Sequence, residues 1–256
     1  MSPYLEAPPL AFAHRGGALL PVNEGIENTL RAIENVVALG YRYIETDVQA
    51  SADGEAFAFH DENLGRMAPD SEFGSRPFGE LTAAQIRSVL TSGGEPVATI
   101  GEVLQAFPDT KFNIDVKSEA VIEPTVRAIE AAGAIDRVLI ASFSGKRLAT
   151  VRRRLPGVAT SAGPAEVAAL RLGPRPFGRF ASRGGAVCVQ VPTTWRGRRL
   201  VTPGFIAAVH HRGMQVHVWT VDERAEMVDL LDMGVDGIVT DRPELLKEVL
   251  VERGRW

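Results

Sequence analysis

Two histidines stand at the ends of short apolar segments that have the character of β-strands. His14 ends the segment at 10–14, and His60 ends the segment at 55–60. An imidazole titrates near neutral pH, which suits it to move protons in catalysis. One histidine at a strand end is more often structural than catalytic. Two such histidines, each beside charged residues, predict a general acid and base pair.

Three carboxylates lie at the ends of two further strand segments. Glu45 and Asp47 are two residues apart, so both point to the same face of a strand, and Asp115 ends a later segment. Carboxylates held together at low dielectric repel one another, and a cation between them relieves that repulsion. An all-oxygen set favours one divalent cation, Mg²⁺ or Ca²⁺, over zinc. The alternative is a set of ion pairs without a metal.

Two basic residues follow the same strand ends and are candidates for binding an anion. Arg15 could hold a phosphate through its planar fork and Lys117 as a point charge. Alternatively they pair with the carboxylates, and both roles are compatible if they hold the carboxylates until an anion arrives. Trp219 and Phe143 are candidates for an apolar wall of the pocket, with core packing as the alternative.

Predicted strands and helices alternate along the whole chain, which indicates parallel strands. The candidate active-site residues follow the carboxyl ends of these strands and so lie at one end of the sheet. Nine strand candidates lie at 10–14, 41–48, 55–60, 111–116, 137–143, 158–162, 186–191, 215–220 and 236–240. Many are apolar on both faces, which predicts an α/β fold with a buried parallel sheet. An open doubly wound sheet is disfavoured because no Gly-x-Gly-x-x-Gly motif follows the first strand. We expect an irregular TIM-like (β/α)8 barrel.

Two segments are expected to depart from a regular barrel. Residues 51–55 are typical of a hairpin turn, so one of the nine candidates lies outside the eight-stranded barrel, and the sequence does not indicate which. Residues 61–98 contain no clear strand and one short helix, and we expect a small insertion without a second core. Asn28 and Asp222 are predicted to cap helices, and Thr82 with Gln85 and Thr99 with Glu102 are predicted to form capping boxes. Residues 1–256 are expected to form a single domain.

Composition restricts the classes of partner and compartment. The net charge is -4 and the pI is near 5.8, so binding to nucleic acid is not indicated. Cys188 is the single cysteine, which leaves no internal disulfide. The sequence contains neither a recognisable signal peptide nor an apolar stretch long enough to span a membrane. We expect a cytoplasmic protein without an integral membrane segment; the oligomeric state is not predicted.

Taken in order, these motifs resemble those of the glycerophosphodiester phosphodiesterase family. The family's His-Arg-Gly, Glu-Asn-Thr, Glu-x-Asp-Val, His-Asp-x-x-Leu-x-Arg, Asn-Ile-Glu-x-Lys, Trp-Thr-Val and Gly-Val-Asp-Gly-Ile-x-Thr-Asp-x-Pro motifs match residues 14–16, 27–29, 45–48, 60–66, 113–117, 219–221 and 234–243. Each motif alone is weak evidence, whereas their ordered combination over nearly the whole chain is specific.

The resemblance implies metal-dependent hydrolysis of a small-molecule glycerophosphodiester to glycerol 3-phosphate and an alcohol, on a TIM-like barrel. It implies that the two histidines are the general acid and base, that Arg15 and Lys117 hold the phosphate, and that the three carboxylates bind one divalent cation. We assign Glu27, Trp219 and Phe143 to the substrate pocket.

Two other functions remain as alternatives. Related barrels cleave intact phospholipids, and those that work on lipid surfaces need an apolar lip, which the sequence does not reveal. A non-catalytic phosphodiester-binding protein is expected to have lost a catalytic histidine or a metal carboxylate, and here both histidines are present.

The chain departs from the family pattern in three places. Asp115 replaces the usual glutamate and is one methylene shorter, so it binds a metal either directly or through water. Ile26 replaces the usual proline, which weakens the assignment of Glu27. No acidic residue occurs between Glu166 and Asp222, a stretch that contains Arg171, Arg175, Arg179, Arg183, Arg196, Arg198, Arg199 and Arg212. This stretch is either a solvated basic flank, which is the ordinary interpretation, or a surface that attracts anionic substrates.

Overall fold

The computed structural model describes residues 2–172 and 185–256, and all statements on the fold refer to these. Their strands in chain order are β1 (Leu10–His14), β2 (Tyr43–Ala50), β3 (Ala56–Ala58), β4 (Lys111–Val116), β5 (Val138–Ala141), β6 (Ala159–Ser161), β7 (Ala186–Pro192), β8 (Thr194–Trp195), β9 (Arg198–Arg199), β10 (Gln215–Trp219) and β11 (Gly237–Thr240). Within the described residues, eight parallel strands form a closed ring in the order β1-β2-β4-β5-β6-β7-β10-β11. The predicted TIM-like barrel is confirmed.

The strand outside the barrel is β3, which corresponds to the candidate at 55–60. It pairs antiparallel with β2, with Ala58 opposite Val48, and the two strands form the predicted hairpin. The barrel closes through β1, which pairs in parallel with both β2 and β11. His14 lies opposite Glu45 in this pairing, so the first two chemical residues are neighbours at the same end of the barrel.

Helices surround the barrel and bury the outer faces of its strands. They are α1 (Leu30–Ala38), α2 (Ala83–Arg87), α3 (Ile100–Ala106), α4 (Ile122–Ala131), α5 (Gly145–Arg154), α6 (Pro164–Leu172), α7 (Pro203–His210), α8 (Arg224–Asp232) and α9 (Pro243–Glu252). Two apolar clusters lie between these helices and the strands, and a third, which includes Phe12, Tyr43 and Cys188, fills the barrel interior. The fully buried Tyr4 packs edge-on against Tyr43 in that cluster.

Two predicted helix caps are wrong, and both residues bind elsewhere. Thr29 caps α1, with its side chain accepting from the Ala32 amide. Asn28 instead accepts a 2.7 Å hydrogen bond from the Thr46 hydroxyl, which lies in β2 between the two carboxylates. Asp222 does not cap α8, because its carboxylate accepts hydrogen bonds from Thr240, the last residue of β11, and from the Asp241 amide that follows it. By local pattern alone, a short polar side chain just before a helix is expected to cap that helix. Here both side chains form hydrogen bonds with residues of other elements instead.

The insertion at 61–98 has a small apolar cluster of its own, contrary to the prediction. Phe57 and Phe59, in and just after β3, pack with Leu64, Phe78 and Leu81 of the insertion, all of them buried. The hairpin strand β3 therefore serves as the base on which the insertion folds. None of the helices in the described residues is long and apolar enough to cross a membrane.

Candidate active site

A cavity of about 690 Å³ opens at the carboxyl ends of the barrel strands. Most residues predicted from the sequence to form the site line it, namely His14, Arg15, Glu45, Asp47, His60, Asp115, Lys117, Phe143 and Trp219. Glu27 is not among the cavity-lining residues in the described part of the chain, and it lies behind Arg15 instead. The barrel thus brings together side chains from distant segments of the sequence.

The turn after β1 directs Arg15 into the cavity. Arg15, Gly16 and Gly17 all have positive φ, at 52°, 78° and 81°. A side chain on Gly17 would meet Pro243 at 2.7 Å, so this close approach requires glycine. The buried Asn23 fixes the turn, since its amide donates to the Gly16 carbonyl at 2.7 Å. Left-handed backbone at a non-glycine residue such as Arg15 is typical of functional sites.

Asp241 orients His14, and this partner was not predicted from the sequence. The Nδ1 atom of His14 lies 2.7 Å from Asp241 Oδ1, while its Nε2 faces Glu45 Oε2 at 3.6 Å. Burial lowers the pKa of His14, but the Glu45 charge and the bond to Asp241 outweigh it, so the pKa is raised. Asp222 holds the loop that carries Asp241, accepting from the Asp241 amide at 2.8 Å.

Removing the charge of Asp241 is expected to lower the pKa of His14. In the native protein this pKa lies above the ordinary value of 6.5. A raised pKa in the fold means that the charged imidazole stabilises the protein below the unfolded pKa, and that this contribution is lost as pH rises through the folded pKa. Asp241→Asn lowers the folded pKa of His14, so the stabilising contribution of the charged imidazole should be lost at lower pH than in the native protein.

The measurement is the titration of the imidazole nitrogens by NMR, with a chelator present in both proteins. His211, which is exposed, serves as the internal control. An unchanged His14 titration in Asp241→Asn would show that Asp241 does not influence this histidine.

The three carboxylates lie on the inner face of two adjacent strands, as predicted. Asp47 of β2 is directly opposite Asp115 of β4, and neighbouring strands are only about 4.8 Å apart. The Lys117 ammonium bridges them, at 2.7 Å from Asp47 Oδ1 and 2.8 Å from Asp115 Oδ2. Arg15 Nε lies 3.4 Å from Asp47 Oδ2. The predicted pairing of the basic residues with the carboxylates is therefore present.

The oxygens of this group that accept no hydrogen bond fit a hard cation. Glu45 Oε2, Asp47 Oδ2, Asp115 Oδ1 and the side-chain Oδ1 of Asn113 are all buried without a hydrogen-bond partner in the described structure. Burial and the charge of Asp47 raise the pKa of Glu45, and burial raises that of Asp115, so the nearby basic residues do not fully offset the burial of these two carboxylates. In residues 2–172 and 185–256 no group of three His, Cys, Asp or Glu side chains is arranged so that it could hold a metal ion as it stands. In the active site the Lys117 ammonium lies between Asp47 and Asp115, and these carboxylates are the oxygen ligands that Mg²⁺ or Ca²⁺ prefers.

A chain of ion pairs connects His60 to Arg15 through the insertion. His60 Nδ1 lies 2.7 Å from Asp61 Oδ1, and Arg66 Nε donates to the other Asp61 oxygen at 2.6 Å. The same Arg66 forms two hydrogen bonds with Glu27, at 2.8 and 2.6 Å, and Glu27 accepts from Arg15 at 3.1 Å. Asp61 and Arg66 belong to the motif at 60–66, but the sequence did not predict that they position His60 and Glu27.

Aromatic side chains form part of the cavity mouth. Phe143 and Trp219 pack edge to face, with ring centroids 5.6 Å apart. Phe143 is 62 % exposed and Trp195, also lining the cavity, is 58 % exposed. The sequence revealed no apolar lip, and Trp195 was missed because it lies on a short hairpin, β8 and β9, that was not predicted.

Comparison with known proteins identifies the family. Residues 14–245 match the model of the "Glycerophosphoryl diester phosphodiesterase family". A Mycobacterium tuberculosis protein named "Probable glycerophosphodiester phosphodiesterase 2" is 40% identical over 261 residues, which cover 98% of this chain and 97% of that protein. A glycerophosphodiester phosphodiesterase of Caldanaerobacter subterraneus is 30% identical, over 96% of this chain and 98% of that protein.

Solved structures share the fold. An Oleispira antarctica phosphodiesterase, solved in complex with the product sn-glycerol-3-phosphate, superposes with a TM-score of 0.79 at 19% identity, over 95% of this chain and 97% of that one. A glycerophosphodiester phosphodiesterase from Agrobacterium tumefaciens gives a TM-score of 0.76 at 23% identity, over 94% of this chain and 99% of that one. Barrel, cavity and sequence matches agree, and the chain belongs to the glycerophosphoryl diester phosphodiesterase family, a family of phosphodiester-hydrolysing enzymes.

Proposed function

We propose that this protein hydrolyses glycerophosphodiesters to glycerol 3-phosphate and an alcohol, by metal-dependent general acid–base catalysis in the barrel cavity. The observation that carries the proposal is the convergence of two carboxylate-bound histidines, two basic residues and three carboxylates on one cavity. Such a set can bind the phosphate, neutralise its charge and move the two protons that the reaction requires.

The two histidines divide the proton transfers between them. One removes the proton from the attacking oxygen, and the other protonates the alkoxide as the phosphorus–oxygen bond breaks. In both His14 and His60 the Nδ1 atom is bound by an aspartate, at 2.7 Å in each case, so Nε2 is the atom available to the substrate. The attacking oxygen belongs either to water or to the glycerol 2-hydroxyl, which would give a cyclic phosphate that water then opens.

Arg15 and Lys117 hold the phosphate, and Glu45, Asp47 and Asp115 hold one divalent cation, Mg²⁺ or Ca²⁺. When bound, the cation supplies charge that stabilises the phosphate oxygens as the bond breaks. Lys117 is pre-positioned by the carboxylates, and their charges raise its pKa despite burial, so it is a cation when the substrate arrives. Arg15 is steadied by Glu27 and, through it, by Arg66.

Release of glycerol 3-phosphate from glycerophosphocholine, glycerophosphoethanolamine and glycerophosphoglycerol tests the proposal. We expect release with Mg²⁺ or Ca²⁺ and none when excess chelator is present. The exposed Phe143 and Trp195 favour one competing substrate, so a lysophospholipid in micelles belongs in the same series. Faster release of head group from the lysophospholipid than of glycerol 3-phosphate from the diesters would identify the lysophospholipid as the preferred substrate. Failure to cleave any diester with any divalent cation would contradict the proposal.

A further inference from the structure

The cavity has one side where acidic and basic residues are paired and another side that carries only basic charge. The only acidic side chains among its described lining residues are Glu45, Asp47 and Asp115, which belong to β2 and β4. On the other side it is lined by Arg171, at the end of α6, and by Arg198 and Arg199, which form β9. The hairpin carrying β9 follows β7, which lies four strands from β2 in the ring of eight and so faces it across the mouth.

The arginines of this second half have no acidic residue near them in sequence. Residues 167–221 contain no aspartate or glutamate. No ion pair involves Arg171, Arg198 or Arg199 within the described residues, although Arg199 donates to the Val201 carbonyl and contacts Met233. Arg175, Arg179 and Arg183, noted in the sequence, lie outside the described residues. The basic half is therefore not neutralised by its own segment.

The hairpin geometry directs Arg198 inward. Arg196 and Gly197 both have positive φ, at 50° and 74°, which is typical of a two-residue turn joining antiparallel strands. Residues on either side of such a turn pair directly, here Trp195 with Arg198. Both of these line the cavity, whereas Arg196 at the tip does not. The same hairpin thus presents two arginines that line the cavity, Arg198 and Arg199, and one, Arg196, that does not.

The cavity is also larger than the reacting phosphate requires. Its volume of about 690 Å³ lies well within the range of about 300–1,000 Å³ found for sites that bury drug-sized ligands. If phosphate binds between Arg15 and Lys117, one of its two ester substituents extends toward the arginines, and we assign that position to the alcohol half of the substrate. Guanidinium groups bind phosphate oxygens through parallel hydrogen bonds, and they repel a cationic choline or ethanolamine.

We propose that the basic half of the cavity, formed by Arg171, Arg198 and Arg199, selects diesters whose alcohol carries a second phosphate group. This inference rests on the proposed function. In the reaction, the phosphorus–oxygen bond to the alcohol breaks, oxygen from water is added to phosphorus, and the alcohol leaves with a proton and with its second phosphate intact. That second phosphate is either a monoester or a further diester, since the arginines contact the same oxygens in both.

Two matched pairs of substrates test the inference and distinguish these two forms. The first pair is glycerophosphoinositol and its 4-phosphate, and the second is glycerophosphoglycerol and bis(glycerophospho)glycerol. Within each pair the second compound adds one phosphate group, and in the glycerol pair it also adds a glycerol. We expect a higher kcat/KM for at least one of the two compounds that carry a second phosphate than for its partner, and a preference that weakens as salt is raised.

The double variant Arg171→Gln/Arg198→Gln should lower that preference ratio about 10-fold, since each exposed charge pair contributes up to about a factor of 5. The matched control is Arg196→Gln, which removes the same charge from the tip of the same hairpin outside the cavity and should leave the ratio within about 2-fold. Equal ratios in the double variant and the control, or a wild-type ratio of one or less for both pairs, would overturn the inference.

A binding measurement separates this inference from the proposed function. Calorimetric titration of the His14→Gln variant with each pair gives affinities without turnover. If wild type cleaves no diester but the affinities still favour the second phosphate and depend on Arg171 and Arg198, only the proposed function fails. If diesters are cleaved while neither affinity nor kcat/KM responds to the second phosphate, only this inference fails.

Discussion

His14→Gln and His60→Gln are each expected to lower kcat by a factor of about 100 to 10,000, the range of a single general acid or base. Glutamine retains a polar side chain of similar reach but does not transfer protons near neutral pH. Each histidine has Nδ1 bound to an aspartate and lines the cavity, so loss of the imidazole leaves the reacting oxygens without a proton donor or acceptor. Because both protons move in one turnover, the double variant should lose little more than the single variants.

The control is His211→Gln, an exposed residue just after α7, which should retain wild-type kcat and melting temperature. Circular dichroism of all variants checks that the barrel is intact. Retention of kcat within about 3-fold in either active-site variant would remove that histidine from the acid–base pair, since even a weak general catalyst contributes more.

Asp115→Asn is expected to raise the divalent-cation midpoint of activity by more than about 100-fold, the upper limit for a residue that only supports a ligand. Asp115 directs one buried, unpaired oxygen toward the cavity, and its other oxygen binds Lys117 at 2.8 Å. The amide keeps the shape of the side chain but loses the negative charge that attracts a cation. Asp115→Glu should be tolerated, because it restores the reach that the family pattern has at this position.

Cation binding measured by calorimetry supplies a readout that does not depend on turnover. Asp109→Asn, which removes an exposed aspartate just before β4, is the matched control and should leave affinity unchanged. An unchanged midpoint in Asp115→Asn would remove this residue from the ligand set and leave Glu45 and Asp47, with water and the substrate phosphate, to complete the coordination.

The barrel was predictable because its signals are local. Apolar strand segments, the hairpin at 51–55 and the capping boxes at Thr82 and Thr99 are each written within a few residues, and all are present. The caps at Asn28 and Asp222 failed because their side chains are used by residues far away in sequence. The same limit explains the insertion, whose apolar cluster depends on Phe57 of β3 and on Phe59 just after it.

The candidate active-site residues were predictable from their position at strand ends, whereas the residues that form hydrogen bonds with them were not. His14 and Asp241 are 227 positions apart, and only the parallel pairing of β1 with β11 makes them neighbours. Arg66 reaches Glu27 across 39 positions. Asn113 had a usable signal, since it stands two residues before Asp115 and so shares its face of β4. The hairpin that carries Trp195 also had a signal in the sequence, because Gly197 lies in the two-residue turn between Trp195 and Arg198.

A ³¹P NMR time course of glycerophosphoglycerol with the purified protein and Mg²⁺ or Ca²⁺ tests directly whether the protein hydrolyses glycerophosphodiesters. We predict that the diester signal is replaced by that of glycerol 3-phosphate in wild type, and that it persists when chelator is present or when His14 and His60 are both glutamine. Tight binding of the diester to metal-loaded wild-type protein, with no monoester formed over many hours, would contradict the account and identify a phosphodiester-binding protein instead.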